Sequence, residues 1–72
     1  MKQALYPNLT CSLNTQNITY SQLAKAIGMS KTAIYRRKNG LIEWKLPEIV
    51  RICQFLGIED AVWLFLRFDD KS

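Results

Sequence analysis

Seventy-two residues, 49% of them hydrophobic, suffice for one small domain with a single core and leave no room for a second. No apolar run reaches the ~20 residues needed to span a bilayer. The chain has no histidine, and its two cysteines, Cys11 and Cys53, lie outside any C-x-x-C spacing, so no zinc site, other metal or cofactor is expected. Neither cysteine has a base nearby and no glycine loop could cradle phosphate, which argues against an enzyme. The start MKQALYPNLT, with Pro7 and polar residues after it, does not read as a secretory signal. A reducing cytoplasm is the expected compartment, with both cysteines as small core residues.

The net charge of +4 is unevenly placed. Residues 1–42 carry six bases and no acid, whereas residues 43–72 carry four bases and all six acids. Such a division suits a chain with one face toward phosphate. A solvated helix face is the plainer explanation of a charge run. It loses ground here because four of the bases share one short predicted helix.

In chain order, residues 1–17 should form a first helix with Pro7 in its first turn. Leu9 and Leu13 lie one turn apart, with Leu5 or Tyr6 extending the stripe. A second helix is expected over about 20–27. Thr19 and Gln22 have capping-box spacing, and Ile18 with Leu23 would make a hydrophobic staple. Leu23, Ala24 and Ile27 share one flank, with Ala24 and Gly28 expected where two helices cross. Gly28 should end this helix in the left-handed conformation.

Ser30 then caps a third helix over about 31–38, with Met29 and Ile34 at staple spacing. It carries Lys31, Arg36, Arg37 and Lys38 before Asn39-Gly40 stops it. The segment Thr19–Gly40 therefore reads as a helix-turn-helix. An ordinary helical hairpin would show the same glycines, but without this concentration of bases. A membrane-surface role is disfavoured because the basic helix has no broad apolar face for lipid.

Leu41-Ile42-Glu43-Trp44-Lys45 is too apolar for an ordinary loop. Leu46, Ile49, Val50, Cys53 and Leu56 then recur at helical spacing, with Pro47 in the first turn and Gly57 as a stop. Glu59-Asp60 open a short last helix. Val62, Phe65 and Leu66 are its expected inward flank, leaving Trp63, Leu64 and Phe68 at least partly outside.

The stretches LAKAIGMSKTAIYRRKNG and LPEIVRICQFLGI resemble the lambda-repressor-like family of helix-turn-helix proteins, which includes Cro-type regulators of temperate phages. The resemblance covers roughly residues 18–58. It implies an all-α, compact five-helix domain filling residues 1–72, with the motif at helices 2 and 3. It further implies that Ser30, Lys31, Thr32, Tyr35 and Arg36 face the major groove of double-stranded operator DNA. Tyr20, Gln22 and Asn39 would lie near the sugar-phosphate backbone.

In chemical terms, Lys31 and Arg36 suit guanine edges, Thr32 a thymine methyl, and Tyr35 a base or phosphate. Arg37 and Lys38 suit phosphate. Two features depart from the family pattern. Arg37 stands where a large apolar residue is usual, and the linker Leu41–Trp44 is apolar where a polar one is usual. Trp44 is expected either to fill the place Arg37 leaves or to join an exposed contact surface.

Leu41, Ile42, Trp44, Trp63, Leu64 and Phe68 are the candidate protein-contact residues, since contiguous exposed apolar side chains mark interfaces. The terminal helix would serve a homodimer. The linker would serve a hetero-complex with a phage repressor protein, as an antirepressor or modulator would form. A regulator acting on DNA in the host bacterial cytoplasm is the leading expectation.

Overall fold

The computed structural model describes residues 4–68, whose regular segments are five helices: α1 (Pro7–Thr15), α2 (Tyr20–Ile27), α3 (Lys31–Lys38), α4 (Leu46–Leu56) and α5 (Ala61–Leu64). Pro7 opens α1, where its missing N–H costs nothing and its fixed φ suits the helix. Leu9 and Leu13 point inward, joined by Tyr6 ahead of the helix. Asn17 leaves α1 at φ 60, and the Ile18 N–H returns to the Leu13 carbonyl at 2.8 Å.

The predicted caps of the motif form. Thr19 Oγ1 accepts from the Gln22 N–H at 3.1 Å, and Gln22 Oε1 accepts from the Thr19 N–H at 2.8 Å. Ser30 Oγ accepts from the Ala33 N–H at 3.1 Å. Each bond satisfies a donor that a helix start would otherwise leave open. Gly28 closes α2 at φ 75, and a Cβ added there would meet nothing within 4 Å. Glycine is therefore needed for its backbone angle and not, as expected from spacing, for a close helix crossing. Gly40 likewise needs glycine for its backbone angle, and it lies close to the tip of the Leu5 side chain. Its φ is 81, and an added Cβ would sit 2.7 Å from Leu5 Cδ2.

The core is built from Leu9, Leu13, Leu23, Ile34, Ile52 and Leu64, one or two from each helix. Helix α2 lies against α3 and α4, while α5 bridges α4 and α1. Ala24 is buried in the same cluster. Two side chain–backbone bonds tie the chain's distant parts: Asn8 Nδ2 donates to the Trp63 carbonyl at 2.8 Å, and Gln16 Nε2 donates to Leu56 at 3.2 Å. The Phe68 N–H also donates to the Leu5 carbonyl at 2.7 Å.

Three further expectations are corrected. Leu64, assigned to an outer contact surface, is fully buried, whereas Val62 and Leu66 are exposed. The reason is that α5 is one turn long and its phase is fixed by Asp60, whose Oδ1 accepts from the Trp63 N–H at 3.0 Å. In α4, Leu46 and Val50 are exposed while Ile52 is core. That helix is apolar on most of its circumference, so spacing alone could not choose its inward flank. Cys11 is exposed and Cys53 only half-buried. Burial, with Asp60 nearby, pushes the Cys53 thiol up and keeps it in its unreactive form.

Trp44, expected either to fold back inward or to join an exposed surface, is half-buried and packs against the core. It packs edge-on against Phe65 at 5.2 Å and Tyr6 at 6.2 Å between ring centroids, and Tyr6 in turn meets Phe65 at 6.4 Å. Such edge-to-face contacts add to the area the rings bury.

Candidate nucleic-acid interface

Helix α3 is held by its buried side and offers the other. Ile34 anchors it in the core, and α2 supports it from behind. On the open side Lys31, Thr32, Tyr35, Arg36 and Asn39 line one shallow depression, with Leu41 at its rim. Lys31, Thr32, Arg36 and Asn39 are exposed and Tyr35 is half-buried. These residues recur every three or four positions, so a single helix flank presents them together. Two amines or guanidinium groups, a hydroxyl, a phenol and an amide then face outward from one surface.

Ser30 and Gln22 are also exposed, but their oxygens are engaged in the two N-caps. What Gln22 still offers is its amide nitrogen, a donor suited to a phosphate oxygen. Its neighbour Tyr20 is half-buried, and its hydroxyl shares a 2.8 Å hydrogen bond with Thr10 Oγ1. Burial pushes the Tyr20 phenol above its ordinary range, with Tyr35 and Tyr6 adding to the effect and the Thr10 bond opposing it. The phenol therefore stays protonated.

The three consecutive bases at the end of α3 separate. Arg36 is exposed. Lys38 turns back over two rings, its Nζ 4.8 Å from the Tyr20 centroid and 5.2 Å from that of Tyr35. The rings themselves lie 6.3 Å apart. Arg37, expected to reach phosphate, turns inward. Its Nε donates to Glu48 Oε1 at 2.8 Å and its Nη1 to the Ala33 carbonyl at 3.2 Å, with both side chains largely covered (11% and 16% exposed). Glu48 Oε1 also accepts from the Lys45 N–H at 2.9 Å. Burial works against the charged carboxylate, but Arg37 and the Lys45 amide outweigh it and hold Glu48 below its usual range.

Among the candidate protein-contact residues, Leu41 is 75% exposed, and Trp63 and Phe68 are exposed to lesser extents. Ile42 and Trp44 are half-buried, and Leu64 belongs to the core. Sequence reasoning missed the larger apolar surface. Leu46, Ile49, Val50, Cys53 and Ile58 line an open groove of about 390 Å³ between α4 and α5, with Val62 and Leu66 continuing it. It also missed Glu48, although an acid three residues after a helix start is a recognisable capping position.

Two capped helices about a left-handed glycine, the second presenting a polar, cationic flank, define a helix-turn-helix domain. A family model described as helix-turn-helix matches residues 13–64. The chain belongs to that lambda-repressor-like, Cro/C1-type family of DNA-binding regulators. No curated protein matches the chain.

Proposed function

We propose that this protein is a transcriptional regulator of a phage lysis–lysogeny switch that lays α3 in the major groove of an operator. The observation that carries the reading is the outward flank of Lys31, Thr32, Tyr35, Arg36 and Asn39 on a helix anchored by Ile34. Lys31 and Arg36 bond guanine edges, and Thr32 meets a thymine methyl. Tyr35 reaches a base or phosphate. Tyr20, Gln22, Ser30, Lys38 and Asn39 lie along the backbone, where contacts add affinity and fix register. Two copies on half-sites about one helical turn apart would supply the contact area that one small domain lacks. Selection from a randomised duplex library tests the reading. A recovered consensus whose retention falls steeply with salt supports it, and no retention at low salt refutes it.

A second reading is favoured by the exposed apolar side chains. Leu41 stands at the rim of the α3 depression, and the α4–α5 groove is open. An antirepressor or modulator that seats a phage repressor protein on this surface would use Leu41, Ile42, Trp44, Trp63 and Phe68. Sedimentation of the protein alone and mixed with that repressor separates the cases. A mixed complex lost on Leu41 substitution supports the modulator, and a homodimer lost on Trp63 substitution supports the repressor. A monomer that joins neither excludes both assemblies.

A further inference from the structure

We infer that Arg37 and Glu48 form a positioning pair that sets the exit of the reading helix, and that Arg37 is not a phosphate contact. The inference rests on the DNA-binding reading above and assigns a function to two residues that reading leaves out. Three bonds converge on this pair. Arg37 Nε meets Glu48 Oε1, Arg37 Nη1 meets the Ala33 carbonyl one turn back, and the same Glu48 oxygen accepts the Lys45 N–H. One carboxylate therefore caps the start of α4 and holds the last turn of α3, closing the intervening linker into a loop.

The linker's other end is fixed as tightly. The Leu41 N–H donates to the Arg36 carbonyl at 2.9 Å, and Gly40 lies close against Leu5. With both ends held, Asn39 and Leu41 stay beside Lys31, Thr32, Tyr35 and Arg36 on the outward depression. Opening the pair would free the loop and let the last turn of α3 fray, since its final carbonyls depend on this exit. The covered guanidinium, 11% exposed, is poorly placed to meet phosphate. Its charge is also balanced by Glu48.

The pair makes an unusual prediction about sign. Removing an acid near a DNA-binding surface should strengthen binding if electrostatics alone matter. Glu48→Gln should instead weaken it, because the carboxylate's task is to hold Arg37. The experiment compares wild type, Arg37→Ala, Glu48→Gln and the double variant on the duplex that wild type selects. Each is titrated with salt well below its melting temperature, and amide hydrogen exchange is followed at Leu41 and Lys45.

Each single variant is expected to lose up to roughly fivefold in affinity, the upper scale of one partly exposed ion pair. The salt slope should be unchanged, the double variant should be no worse than either single one, and exchange at both amides should be faster. A slope shallower by about 0.9 for Arg37→Ala identifies a phosphate contact and overturns the inference. Tighter binding by Glu48→Gln, or full affinity in folded variants, overturns it as well. If wild type retains no duplex, the DNA reading itself fails. Amide exchange then decides alone, and unchanged rates show that the pair does not hold the linker.

Discussion

Lys31 and Arg36, like Arg37 and Lys38, pair a lysine with an arginine on the same short helix, α3. Their fates differ. The first two are exposed beside Thr32 and Asn39, whereas Arg37 is paired with Glu48 and Lys38 rests over Tyr20 and Tyr35. Successive residues on a helix are about 100° apart, so a run of three bases cannot face one ligand. A cluster of positive charge in sequence thus divides into cations offered to a partner and one, Arg37, whose charge is taken up inside the fold.

The comparison breaks most completely if α3 loses its anchor. Ile34→Ala would empty the fully buried site that seats the whole helix, and is expected to cost about 2–5 kcal/mol of stability. Chemical denaturation measures it. A loss below the scatter of surface substitutions would show that α3 is not seated as described. Arg36→Ala sharpens the comparison from the outer side. It should cost about 1–3 kcal/mol in binding the selected duplex and relax preference at one base pair, with the melting temperature unchanged.

Lys38→Ala tests the cation held over the Tyr20 and Tyr35 rings. Loss of an ammonium over two rings should remove about 0.5–1 kcal/mol of stability, read by denaturation. A smallest effect is expected from pH. Glu48 is held below its usual carboxylate range, so the stability its ionisation brings is present above about pH 4.5, the ordinary value, and fades as pH falls through the lower folded value. Glu48→Gln should flatten that part of the melting-temperature profile.

The elements and caps of the motif were legible in sequence because each is a local decision. Thr19 with Gln22, Ser30 with Ala33, and Gly28 at positive φ depend on residues a few positions apart. What spacing could not choose was rotation. Leu46 and Val50 turned outward and Ile52 inward, since α4 carries apolar residues around most of its circumference. Leu64 entered the core because Asp60 sets the phase of a single turn. Likewise the side chain of Arg37 follows Glu48, eleven positions away on another helix. The reading flank was visible as a run of bases, but dividing that run required the tertiary partners.

The most direct test of a DNA-reading flank on α3 is duplex retention over a salt series, by wild type and by a Lys31→Ala, Arg36→Ala double variant. Wild type should select a consensus and lose affinity with a log–log slope near −0.9 per neutralised phosphate. The double variant should stay folded and lose the preference. Equal retention and equal preference in the two proteins would contradict it, as would a wild type that holds no duplex at the lowest salt.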